Sequence, residues 1–396
     1  MPAPAHPPRL AATELLRRRD EPTSGKVTSI ELFFDLVFVF AVTQLSHALL
    51  ADLTPLGALR AVVLFVAVWW VWIYTGWVTN WLDPGHAAVR ALLFLLMLAG
   101  IVMAVSIPHA FADTGWPFAL SVVLAQCGRS LFMIVAVRRR DAANMQNFQR
   151  ILSWQALGGL FWVAGAALPG ARLVLWLLAM AIEFASPALG FFVPGLGRSR
   201  SADWDVSGEH LAERCSLFVI IALGEALILT CVTFEKAEWH VPTFAALLAS
   251  FGGSVAMWWI YFDTGAERGA HAIEHAERPG WLARLGYTYL HLPSVAGIVL
   301  AAVGDELVLA HPGGHTEPST ALVVVGGAAL FILGNLFFKL SIAGRMPLSH
   351  QVGLLLLVGC AAASPHIAPL ALALAVTGAL AVTAAWETAS LRGRLL

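Results

Sequence analysis

Long apolar runs, recurring from residue 30 almost to the end of the chain, constrain this sequence more than any other feature. A helix needs about 20 predominantly apolar residues to cross the hydrocarbon core of a bilayer, where no water is present to satisfy an open backbone. Twelve segments qualify: 30–50, 58–79, 87–108, 117–137, 148–168 and 172–193, then 211–233, 242–262, 284–309, 319–341, 348–365 and 368–388. Turn chemistry separates them, at Asp83-Pro84-Gly85, Pro169-Gly170, Pro194-Gly195, Pro279-Gly280 and Pro312-Gly313-Gly314. Only 12% of the 396 residues are charged, against roughly 25% in soluble domains. The chain is therefore predicted to be all-α and polytopic, and no stretch between runs is long enough for a soluble domain. Residues 1–29 are rich in Pro and Arg and lack the apolar centre of a signal peptide, so the first run is expected to remain as a spanning helix.

Charge sets the expected orientation. The formal net charge is −1, yet 20 of the 24 basic residues fall at the ends and loops that share a side with the N-terminus. Only Arg60, Arg172 and Lys236 fall on the other side, and Arg129 lies within a run. The positive-inside rule then places both termini in the cytoplasm, with the helices crossing the cytoplasmic membrane.

The two halves resemble each other. Trp69-Trp70-Val71-Trp72 returns as Trp258-Trp259-Ile260-Tyr261, shifted by 189, and Ala99-Gly100-Ile101-Val102 returns as Ala296-Gly297-Ile298-Val299, shifted by 197. The first run also lies on Leu217 to Leu227 at a shift of about 181, the sense in which duplicated transporter repeats align. These matches predict two parallel six-helix repeats. Residues 30–197 and 211–390 would form them, joined by a linker at 198–210 and flanked by tails at 1–29 and 391–396.

The ionisable residues inside apolar runs are the candidates for function, because an isolated charge there costs about 2.5–3.5 kcal/mol on insertion scales. Glu31 and Asp35 are four apart and share a helical face; they are read as an internal site for a proton or cation, or else as a pair held by a nearby Arg. In the seventh run His210, Arg214 and Glu225 share a face, with Glu213 beside them, and Glu225 follows Gly224 deep in the apolar stretch. Arg129 must find a carboxylate or an anion; Glu31, Asp35, Glu183 and Glu225 are its candidate partners. Asp263 ends the Trp258–Phe262 stretch, and His291 precedes Pro293, which removes a backbone donor.

Other patterns carry less. His271 and His275 have metal-compatible spacing but lie in a loop without the HExxH order. Cys127, Cys215, Cys231 and Cys360 sit in apolar runs without CxxC spacing, so no disulfide framework or metal is expected. The absence of a P-loop, a dinucleotide fingerprint, a GxSxG elbow or an aspartyl-phosphate motif argues against an ATP-driven pump.

The segments Glu31-Leu32-Phe33-Phe34-Asp35-Leu36-Val37-Phe38, Glu213-Arg214 with Leu217 to Glu225, Trp258 to Asp263 and Tyr289-Leu290-His291-Leu292-Pro293 resemble the bacterial low temperature requirement A (LtrA) family. That resemblance implies a multi-spanning membrane protein and brings no substrate or catalytic residues with it. Phe33-Phe34-Asp35 is also distantly similar to the Phe-Ser-Asp motif of two-repeat potassium channels, but Phe replaces the Ser and the second half offers Cys215-Ser216-Leu217 without an Asp. The leading expectation is a secondary transporter or proton/ion pathway. A membrane-embedded lipid-modifying enzyme and a non-catalytic scaffold or sensor are the alternatives. Expected partners are membrane lipids and a small solute or ion, with room for a homo-oligomer and nothing pointing to nucleic acid or a cofactor.

Overall fold

The computed structural model describes residues 15–17, 26–138, 141–199, 206–263 and 279–392. The pair His271 and His275 lies outside the described residues, as do parts of the tails and of the 198–210 linker. Twelve helices make up the described chain. In the first half they are α1 (Ser29–Ala51), α2 (Pro55–Thr79), α3 (Ala87–Ser106), α4 (Gly115–Val137), α5 (Ala142–Ala167) and α6 (Arg172–Ala188). In the second they are α7 (Gly208–Lys236), α8 (Val241–Phe262), α9 (Pro279–Ala310), α10 (Pro318–Ala343), α11 (Leu348–Ala363) and α12 (Pro369–Arg392). Extended pairing among the described residues is limited to isolated bridges, Leu16 with Leu82 and Val193 with Gly197.

Eleven of these helices are long and apolar enough to cross a membrane; α5 is the exception, because its first turns carry Asn144, Gln146, Asn147, Gln149 and Arg150. That polar start also explains why α5 begins before the expected residue 148. Asp141 caps it by accepting from the Asn144 amide at 2.9 Å, so the helix starts where no apolar signal exists. At its other end α6 stops at Ala188, short of the expected 193, since Pro187 sits in the last turn and Gly190 turns left-handed at φ 62°. The ninth helix runs from Pro279 rather than 284 and takes a π-helical course over Arg284–Leu290.

The two halves share most of their helix neighbours, and the second adds contacts of α8 with α9 and of α10 with α12. In the first, α1 lies on α2 and α3, α3 on α4, α4 on α5, α5 on α6, and α2 reaches α4 and α6. In the second, α7 lies on α8 and α9, α9 on α10, α10 on α11, α11 on α12, and α8 reaches α10 and α12. The seam between halves is α1 against α7 and α9, with α2 against α7. Every residue of α2 from Val63 to Ile73 is buried, which fits a helix apolar on all sides. The outward faces are apolar too: Leu95, Leu124, Leu160, Leu322 and Leu355 are each at least 66% exposed, a surface suited to acyl chains rather than water.

Candidate functional site

Two buried charge centres lie against α2, whose Trp72 and Thr79 are seven apart and so share the face turned to the first of them. The first centre lies at the seam. Thr28 caps α1, and the Glu31 carboxylate folds back on it, taking the Thr28 amide at 2.9 Å and its hydroxyl at 2.8 Å. The same carboxylate accepts from Arg17 at 2.8 Å and from His210 at 2.8 Å, with Arg214 at 3.4 Å. One turn further along α1, Asp35 Oδ1 accepts from Arg214 at 2.5 Å and from the Trp72 indole at 2.7 Å. Arg214 also donates to Thr79, at 3.3 Å.

The partners fix the state of His210. Asn80 bonds Ser207 in both directions, its Nδ2 donating to the carbonyl at 2.8 Å and its Oδ1 accepting from the amide at 3.0 Å, which orients the amide. Asn80 Nδ2 therefore donates to His210 Nδ1 at 3.3 Å, and Nε2 carries the proton that goes to Glu31. With a neutral imidazole, two carboxylates answer two guanidinia among the described residues. Glu31, Asp35, His210 and Arg214 are all inaccessible to solvent. Glu213, on the neighbouring face, accepts from the Val27 amide at 2.9 Å and ties the segment before α1 to α7. The arrangement holds the two halves together at one end of the bundle.

Arg129 forms the second centre, against Val71 and Thr75 of α2. Its guanidinium donates to the Val71 carbonyl at 3.1 Å, to Thr75 at 3.0 Å and to Gln126 Oε1, while Nε has no hydrogen-bond partner. None of the four acids expected to answer it lies at ion-pairing distance, and the carboxylate of Glu183 takes the Trp162 indole at 3.0 Å instead. Arg129 is fully buried and borders a cavity of about 260 Å³ that also meets Tyr74 and Trp77 of α2, Trp81 just after it, Arg198, and Arg284 and Thr288 of α9. The cavity opens beside Ala188, Leu189 and Arg198, all exposed. Gly190 and Phe191 there are both left-handed, at φ 62° and 49°, and Arg150 holds the loop through the Leu196 carbonyl at 2.8 Å.

The remaining predicted residues lie elsewhere. Glu225 accepts from Thr43 at 2.5 Å, two turns beyond Asp35, or about 12 Å along α1 by helical rise. The space beside it is only about 10 Å³, too small for more than a single water. Asp263 is exposed at the end of α8 and accepts from Thr388 at 2.6 Å. His291 is buried with both ring nitrogens engaged: Nδ1 donates to the Gly286 carbonyl at 2.8 Å, and Nε2 accepts from Tyr261 at 2.9 Å. In the π-helical stretch before Pro293, the Thr288 carbonyl takes the Trp69 indole at 2.8 Å.

The family model for the bacterial low temperature requirement A protein matches residues 26–385. The chain belongs to that family. It is also 41% identical over 378 residues to an uncharacterized protein of Rhizobium meliloti, covering 95% of this chain and 92% of that one. The stretch matched by the LtrA model runs from the segment before α1 into α12, so it takes in both buried charge centres except Arg17.

In this LtrA protein, sequence reasoning passed over several residues that the fold brings into play. Arg17 was assigned to an inside tail, yet it enters the seam and also donates to the Thr79 carbonyl at 2.9 Å. Lys339 on α10, counted among inside basic residues, is buried; it donates to the Ile260 carbonyl at 3.2 Å and to both Glu387 oxygens, at 2.8 and 2.9 Å. Asp305 on α9 accepts from Ser250 at 2.6 Å. For Lys339 and Asp305 the one signal was a charge interrupting an apolar run, and Arg17 gave none; their partners lie on other helices, which spacing cannot reach.

Proposed function

We propose that this protein is a secondary transporter or solute-permeation pathway of the bacterial cell membrane, built from two parallel six-helix repeats with both termini in the cytoplasm. The helix neighbours shared by α1–α6 and α7–α12 support the repeats. So does a correspondence of buried cations: Arg129 of α4 bonds the Val71 carbonyl of α2, and Lys339 of α10 bonds the Ile260 carbonyl of α8, with Val71 and Ile260 matched at the 189-residue shift. The concentration of basic residues on one side supports the orientation.

One observation carries the transport reading: a cavity enters the bundle where α2, α4, α5 and α9 from both halves meet, and it ends at an embedded charge. Sites in parallel-repeat transporters form between the repeats, where one half rocks against the other. The seam cluster of Glu31, Asp35, His210 and Arg214 then acts as a latch that must loosen during turnover, rather than as the pathway itself.

Proteoliposomes loaded with a pH-sensitive dye, under an imposed potassium-diffusion potential, test this with benzoate present and absent outside. The wild-type protein is expected to carry charge or acid faster than empty liposomes. Asp35→Asn should slow that flux while leaving the protein monodisperse. Flux equal to empty liposomes under both conditions contradicts the reading.

A further inference from the structure

We propose that the cavity between the halves binds a small organic oxyanion, a carboxylate or phosphate on an apolar body, with Arg129 as its main counter-charge. As a transport substrate this ligand rests on the reading above; as a bound ligand it does not. Among the described residues three guanidinia border the cavity, those of Arg129, Arg198 and Arg284, and no carboxylate does. Arg129 is fully buried, has no carboxylate at ion-pairing distance among the described residues, and leaves Nε without a partner. A low-dielectric cleft lined by one sign of charge focuses its field on a counter-ion.

The second half supplies the control. Lys339, the counterpart of Arg129, is neutralised by both oxygens of Glu387. The acid placed to do the same for Arg129 is Glu183, but Trp162 holds its carboxylate and Gln126 takes the Arg129 Nη2 instead. One half thus carries its own anion, and the other leaves the place open to a cavity. A planar guanidinium fork suits a carboxylate or phosphate. Tyr74, Trp77, Trp81 and Phe148 offer aromatic walls to the apolar part. At about 260 Å³ the space falls just below that of drug-sized pockets, which suits a small acid or an anionic headgroup but not a whole lipid.

Thermal unfolding of the full-length protein in phosphatidylcholine nanodiscs tests this, with benzoate as the probe and chloride at equal ionic strength as the control. Benzoate is expected to raise the unfolding midpoint saturably where chloride does not. Arg129→Gln should weaken its apparent affinity about tenfold and Arg129→Lys less, since lysine keeps the charge and loses the fork. Should Arg129→Gln fail to fold, the double variant Arg198→Gln with Arg284→Gln at the mouth decides, with the same direction expected. A benzoate shift equal to that of chloride, or unchanged in the variants that fold, overturns the proposal. Nanodiscs containing phosphatidylglycerol separate the sources: loss of the benzoate effect assigns the site to a lipid headgroup, and its persistence assigns it to a free acid. Binding without flux would remove the transport reading and keep the site; flux without binding would do the reverse.

Discussion

Arg214, Lys339 and Arg129 are three buried cations with three different answers. Arg214 faces Asp35 at 2.5 Å and Glu31 at 3.4 Å, and Lys339 faces Glu387 at 2.8 Å; among the described residues Arg129 has carbonyl, hydroxyl and amide oxygens and the face of the Tyr74 ring. Removing one partner of a buried pair strands the other charge, at a cost of about 3–5 kcal/mol. Arg214→Gln is accordingly expected to lower the unfolding midpoint in detergent sharply. Adding Asp35→Asn should return part of the loss, because the stranded charge goes with it and the two substitutions share one interaction. Strictly additive losses would show that Asp35 and Arg214 are not coupled. Glu31 and Asp35 were legible as a face, and His210 and Arg214 as another, because i and i+4 spacing is written along one helix. That these faces meet, and that Glu225 stands apart with Thr43, depends on how α1 and α7 cross, which no local pattern contains.

At the level of helices, close approach is set by residues without side chains. A Cβ on Gly297 of α9 would come within 2.5 Å of the Phe331 amide of α10, and one on Gly327 within 2.7 Å of the Ala301 amide. The neighbouring Gly326 has open space around its Cβ position. Gly327→Leu should therefore separate α9 from α10 and abolish a monodisperse product, while Gly326→Leu should leave elution and unfolding unchanged; equal tolerance of both would contradict the backbone-to-backbone packing. Helix number and approximate position were readable because length and apolarity suffice for a spanning helix. The ends were less so. Asp141 starts α5 in polar sequence, Gly190 ends α6 inside an apolar one, and the π-helical stretch of α9 reflects packing around Thr288 and His291 rather than composition.

Across the whole molecule, the two halves meet through a sealed charge cluster and an open, positively charged cavity, both against α2. The cluster gives the seam specificity, since two acids from α1 find their bases on α7 and in the segment before α1. Among the described residues Arg129 has no acid at contact distance, and the cavity reaches the surface beside the loop after α6. Its presence was not legible in the sequence: Arg129 was visible as a misplaced charge, but whether Glu183 answers it is decided by Trp162 and Gln126 on other turns and helices.

The central claim is that this cavity admits solutes to Arg129 from one side of the membrane only. Ser130 borders it next to Arg129 and is 1% exposed. In a variant with Cys127, Cys215, Cys231 and Cys360 replaced, Ser130→Cys should react with a membrane-impermeant maleimide in inside-out vesicles, should not react in right-side-out cells, and should be protected by benzoate. Labelling from the outer side, or none from either, would contradict the account.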